Sequence, residues 1–220
     1  MTAAELHLVV PGSLAQNTGG YLYDARIVNE LRQRAWRVTV HNLEGAFPVV
    51  DNQARASITQ ALEACPDGAR VVIDGLALAG FADLADTHSS RLRILGLIHH
   101  PLAEETGLAD QTRQQLASRE REALAACRGV VVTSAFTAKQ MDTYGVPTSS
   151  VRVVSPGNDP ARLAQGPSCG DPPSLLCVAS VIPRKGHEVL IHALARLREI
   201  SWTCVCVGSL TRAPTYAALV

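Results

Sequence analysis

The sequence predicts an α/β protein, with parallel sheets covered by helices on both faces and two domains of unequal extent. Three observations carry that reading. Short apolar, strand-like runs alternate with amphipathic helical patterns along the whole chain, as βα units of a parallel sheet require. The stretch Pro156–Pro173 interrupts them with five Pro and three Gly and little apolar periodicity, the composition of a linker. Beyond it the strand–helix pattern restarts at Ser174. The expected division is a doubly wound domain over 1–156, a linker over 157–173, and the start of a second domain over 174–220. One βαβ unit and part of a further helix cannot bury both faces of a sheet, so the second domain is expected to be truncated.

Each element has a local reason. Leu6–Val10 is an apolar strand, followed by a loop running to Gly20. Tyr21–Arg34 is a helix with Tyr21, Ala25, Val28, Leu31 and Ala35 on one face. Trp36–Asn42 is a strand, Gln53–Cys65 a helix, and Arg70–Asp74 a strand stopping at Gly75. Arg93–Ile98 is a strand closing on His99-His100-Pro101. Asp110–Cys127 is a long helix in which Glu120 and Arg121 are expected to face solvent. Val130–Thr133 is a strand, Ser134 the cap of a helix around Ala135–Tyr144, and Val151–Val154 the last strand before the linker. After it, Leu175–Ala179 reads as a buried central strand. A Pro-Arg-Lys-Gly turn leads into a helix with Val189, Leu190, Ala193, Leu194 and Leu197 in one apolar stripe, and Trp202–Val207 is a strand.

Composition excludes several functions. With 47% hydrophobic residues and 18% charged, the chain can build a core; its 20 basic and 20 acidic residues give zero formal net charge and no electrostatic case for nucleic acid. Three Phe, four Tyr and two Trp are too few for base-stacking platforms. Cys65, Cys127, Cys169, Cys177, Cys204 and Cys206 include no C-x-x-C pair and no histidine at zinc-finger spacing. They are expected to be reduced, the last three as small hydrophobes in strands, in a cytoplasmic compartment. The N-terminus lacks a basic start and a long apolar region, and no run of ~20 apolar residues occurs to span a bilayer.

Ligands of open parallel sheets bind beyond the carboxyl ends of the strands, so four strand-end loops are the candidates. In Pro11–Gly20, Gly19 and Gly20 stand directly before a helix, where free amides can meet a phosphate or sugar; the spacing is not that of a dinucleotide fingerprint. His99 and His100 sit at a strand end, where an imidazole can donate to sugar hydroxyls. A metal there is not expected, because adjacent strand residues point to opposite faces and no third ligand is placed. Ser134 is foremost a helix cap and secondarily a candidate contact. Asn158 and Asp159 lie in the turn Pro156-Gly157-Asn158-Asp159, placed to act as a hinge. In the second domain, Lys185 follows Arg184 at a helix start that favours anions. It is one of two lysines against 18 arginines, so it reads either as a phosphate-facing cation or as a solvated turn residue.

The order Gly-Gly loop and helix, strand-end His, VTSAFTA, VVSPGND and LLCVASVIPRKGHEVLIHALARL resembles family-four glycosyltransferases of the GT-B fold over nearly the whole chain. The resemblance implies two Rossmann-like domains facing a cleft, the first on the acceptor side and the second holding a nucleotide-sugar. It also implies transfer with retention of anomeric configuration, without metal or cofactor. Lys185 matches the family's lysine on the donor diphosphate, Gly19 and Gly20 its glycine-rich loop, and His99 or His100 its histidine near the transferred sugar. Asn158 stands where the family's Pro-Gly-Val-Asp turn has Val. Where many members carry Gly-Arg this chain has Ala179-Ser180, leaving Arg184 to supply a second cation or only to cover the surface. The family's paired-glutamate motif would fall beyond residue 220.

The leading expectation is thus a retaining glycosyltransferase, or a fragment of one, whose parent is the enzyme and whose present span is not fully competent. Its partners would be a nucleotide-sugar and an unidentified acceptor, a sugar, lipid-linked or small molecule. Peripheral association with the inner face of the plasma membrane enters by family analogy alone. The alternatives are a noncatalytic nucleotide-sugar-binding or interaction module and another two-domain enzyme such as a sugar-nucleotide epimerase.

Overall fold

The structure, a computed structural model, describes residues 4–163, 165–168 and 170–220. Cys169 lies outside them; the other five cysteines are free. The chain divides into two compact units, one ending at Gly157 and the other beginning at Asn158.

The first unit holds β1 (Glu5–Pro11), α1 (Gly19–Gln33), β2 (Arg37–Leu43), α2 (Asn52–Glu63), β3 (Arg70–Asp74) and α3 (Gly75–Phe81). It continues through α4 (Ala85–His88), β4 (Arg93–Ile98), α5 (Asp110–Ala125), β5 (Gly129–Val132), α6 (Ala135–Gln140) and β6 (Val151–Val153). All six strands are parallel, in the order β2-β1-β3-β4-β5-β6. From β1 the chain first winds outward to β2 and then returns to β3 on the other side. The switch point is therefore between β1 and β3, where the crevice of such a sheet forms.

Alternation along the strands sorts the core. On one face Val9, Val71, Ile73, Ile94, Ile98, Val130 and Val132 pack against α2, α3 and α5. On the other, Leu8, Val10 and Val38 meet Tyr21 and Val28 of α1. Asp51 caps α2 by accepting from the Ala54 amide at 2.7 Å, and Ser134 caps α6 by accepting from the Thr137 amide at 3.0 Å.

Two expectations about this unit are corrected. Glu120 is 1% exposed, not solvent-facing: with Leu116, Ala123 and Leu124 it lies on the buried face of α5. Ala35 leaves the α1 stripe because the helix has ended and Ala35 adopts a left-handed φ of 61°. After Asp74 the chain turns directly into the buried helix α3, a segment to which the sequence pattern assigned no element.

The second unit holds β7 (Ser174–Val178), α7 (His187–Leu194), β8 (Thr203–Val207) and α8 (Pro214–Leu219), with β7 and β8 parallel. β7 is not the buried strand expected: Leu176 is 69% and Val178 71% exposed, because among the described residues β8 is its one neighbour. The helix stripe is likewise open, with Val189 and Leu197 exposed, Leu190 half-buried and Leu194 buried. Among the described residues no helix is long and apolar enough to cross a membrane.

Candidate functional site

Three polar side chains from three βα units meet at the carboxyl ends of the strands. Asp24 comes from the second turn of α1, Asp74 ends β3, and His99 directly follows β4. His99 Nε2 lies 3.0 Å from Asp24 Oδ1 and 3.5 Å from Asp74 Oδ2. Both aspartates are buried, Asp24 to 1% exposure, while the His99 side chain keeps a partly open edge.

The neighbourhood fixes the ring. Tyr23 meets His99 edge-on, with centroids 5.3 Å apart, and its hydroxyl donates to the Val154 carbonyl at 3.0 Å. Thr133 Oγ1 donates to the His99 carbonyl at 3.4 Å. Gly20 lets α1 approach: a Cβ there would stand 3.3 Å from His99 Cδ2, whereas one on Gly19 would meet nothing within 4 Å. Asp74 Oδ1 also accepts from the Leu76 amide at 2.8 Å, capping α3.

Burial first, and then the charge of Asp24, push the Asp74 carboxyl up to about 7, with His99 opposing the shift. For His99, burial pulls the imidazole down, but the hydrogen bond and charge of Asp24, aided by Asp74, outweigh it and raise its pKa. Asp74 and His99 are coupled, and the hydrogen bond to Asp24 favours the charged form of His99. Asp24 Oδ2 and His100 Nε2 are buried without a hydrogen-bond partner.

Behind this cluster, Glu120 holds the loop that follows the histidines. Its carboxylate accepts from the amides of Leu102 at 2.8 Å and Ala103 at 3.3 Å. Burial pushes Glu120 up to about 7 against those two hydrogen bonds.

The structure thus brings His99 and Gly20 together, with Gly19 one residue away. Ser134 is occupied as the α6 cap, its Oγ also 2.9 Å from Thr137 Oγ1. In the second unit, Arg184 and Lys185 are exposed in a one-turn helix over Pro183–Lys185, and Gly186, directly before α7, has a φ of 65°. Asn158 and Asp159 are exposed in a segment without regular structure.

Sequence reasoning missed Asp24, Asp74 and Tyr23. A signal existed for the first: Tyr21, Asp24, Ala25 and Val28 share the helical stripe, so Asp24 is a carboxylate on the apolar face. Asp74 had one as well, the final residue of an apolar strand. A carboxylate pair around an imidazole can orient the ring, stabilise its charged form and present the remaining Nδ1 as a donor.

No protein-family model matches the chain, and no curated protein matches it. Solved structures do. A glycosyltransferase from Rickettsia africae ESF-5 aligns over 100% of this chain and 64% of its own, at 18% identity and a TM-score of 0.55. The lipopolysaccharide outer core galactosyltransferase WaaB, in its apo form, aligns over 97% of this chain and 63% of its own, at 12% identity and a TM-score of 0.58. Anabaena HepE, solved in complex with UDP and glucose, aligns over 99% of this chain and 64% of its own, at 18% identity and a TM-score of 0.61. At these identities the likeness is one of fold: the chain has the α/β architecture of GT-B glycosyltransferases and spans less than two thirds of their length.

Proposed function

We propose that this chain is part of a nucleotide-sugar-dependent glycosyltransferase, with the first unit on the acceptor side and the second contributing to the donor site. The observation that carries the reading is the Asp24–Asp74–His99 cluster at the carboxyl ends of β3 and β4, on a fold shared with glycosyltransferases. Nε2 of His99 is committed to Asp24, so Nδ1 is the nitrogen available to a sugar hydroxyl. Orienting the ring and favouring its charged form before substrate arrives is a preorganised electrostatic contribution. His100, one residue on, is the neighbouring candidate for contact.

The donor would be engaged by Lys185, with Arg184 beside it, as negative charge develops on the leaving nucleoside diphosphate. Gly19 and Gly20 would let the α1 amides approach the phosphates. Ser134, Asn158 and Asp159 are secondary contacts in this proposal. Transfer would proceed with retention and without a metal or cofactor, on the cytoplasmic side. The acceptor would be a sugar, a lipid-linked molecule or a small molecule.

UDP-glucose is the donor to try first, given the ligands in the HepE structure. Calorimetry of the chain and of Lys185→Ala should show a roughly tenfold to hundredfold loss of affinity, the ~1.5–3 kcal/mol of a charge-assisted hydrogen bond. Equal affinities across a panel of nucleotide-sugars would remove Lys185 from the donor site.

A noncatalytic interaction module is the second reading. It is favoured by the apolar surface of the second unit, where Leu176, Val178, Val205 and Val207 are all exposed. Sedimentation separates the two: a stable dimer or hetero-complex without nucleotide-sugar binding supports the module.

A further inference from the structure

Away from the strand ends, a second group of side chains comes together in the body of the edge-strand pair. His7 of β1 and His41 of β2 both project to the face covered by α2, sharing the parity of Val9 and Leu43. Cys65 follows the C-terminal end of α2 and packs into the same core. His7 Nδ1 lies 3.0 Å from His41 Nε2, and Cys65 Sγ lies 3.9 Å from that same His41 nitrogen. All three ligand atoms fall within 4.8 Å of one another.

With zinc–nitrogen bonds near 2.05 Å and zinc–sulfur bonds near 2.3 Å, a tetrahedral centre sets nitrogen–nitrogen edges of about 3.3 Å and nitrogen–sulfur edges of about 3.6 Å. The His7–His41 and His41–Cys65 separations are each within a few tenths of an ångström of those edges, and His7 and Cys65 lie within 4.8 Å of one another. The donor set of two imidazoles and one thiol suits a borderline-soft d10 cation and excludes calcium or magnesium, which take oxygen ligands.

A neutral imidazole has a lone pair to give, and zinc would bind with loss of the Cys65 proton to solvent. Arg91 anchors the cysteine backbone, donating to the Cys65 carbonyl at 2.8 Å.

The geometry points to a zinc site formed by His7, His41 and Cys65, with water as the fourth ligand, which ties edge strand β2 to β1 and to the end of α2. It stands independently of the proposed transfer chemistry. Sequence spacing concealed it, because its residues come from three separate elements.

The test is a cobalt(II) titration of the full chain in a Cys177→Ser/Cys206→Ser background, since Cys177, His187 and Cys206 also lie close enough to compete. One equivalent should produce a thiolate-to-cobalt charge-transfer band and intense tetrahedral d–d bands, displaced by zinc. Cys65→Ser should abolish the charge-transfer band, and His41→Ala, at a half-buried position, should weaken binding at least tenfold with unchanged circular dichroism. Zinc should also raise the melting temperature of the parent and not of His41→Ala. Absence of the charge-transfer band in the background protein overturns the site, as does a band that survives both substitutions. In either case the trio is a hydrogen-bonded cluster only.

Discussion

Asp24 carries more of the candidate site than its sequence position suggests. Its hydrogen bond and charge are what keep the His99 pKa raised against burial, so Asp24→Asn should lower it. Imidazole resonances followed by NMR against pH read this directly; an unmoved His99 titration would break the coupling. Gly20 tests the same contact sterically. Alanine within a helix ordinarily gains roughly 0.5–1 kcal/mol over glycine. Here the added Cβ sits 3.3 Å from His99, so Gly20→Ala should forfeit that gain and shift the His99 titration, while Gly19→Ala, with open space, should leave it in place. The contrast between adjacent glycines was not readable from the pair itself, because only the approach of α1 to His99 distinguishes them. The strand-end position of His99 was readable, since a strand pattern that stops at a polar pair is a local signal.

At the scale of elements, the loop after β4 is fixed by the helix that follows it. Glu120 on α5 accepts from two consecutive amides of that loop, so Glu120→Ala would strand both donors and should destabilise the fold by about 2–4 kcal/mol in chemical denaturation. Glu120→Gln keeps one acceptor oxygen and should cost less. The sequence placed Glu120 in solvent because charge was read ahead of phase. Its spacing from Leu116 and Leu124 marks the buried side of α5. The second unit failed the opposite way. β7 and α7 formed where periodicity put them, yet their apolar side chains lie exposed, since burial requires neighbouring elements and not pattern alone.

For the whole molecule, three groups make stability fall as pH rises. Asp74 and Glu120 are both pushed up to about 7, so the folded chain binds their protons more tightly than the unfolded chain between their ordinary values and about 7. Their protonated forms favour folding below that window, and ionisation withdraws the advantage as pH climbs through it. His99 acts in the same direction, its contribution present below 6.5 and lost as pH passes its raised folded value. His7, His41 and His88, lowered first by burial, oppose this and cost stability as pH falls below 6.5. Urea melts of the parent and Glu120→Gln from about pH 5 to about pH 8 isolate one component: the variant should lose up to about 3 kcal/mol of the downward trend. Identical slopes would contradict a raised Glu120. The division into units predicts early tryptic cleavage at exposed Arg162, leaving an N-terminal fragment that resists further digestion and retains its far-ultraviolet dichroism.

The sequence by itself determined the alternating α/β class, most strand positions and the strand-end histidine, because each rests on periodicity or on a residue's place within one element. The tertiary structure decided which groups surround that histidine. Winding out to β2 and back to β3 sets the order β2-β1-β3-β4, and it is this order that draws Asp24, Asp74 and His99 to one end of the sheet. The same winding brings His7 within hydrogen-bond distance of His41. Proximity between distant elements follows from sheet order, and no local pattern encodes it.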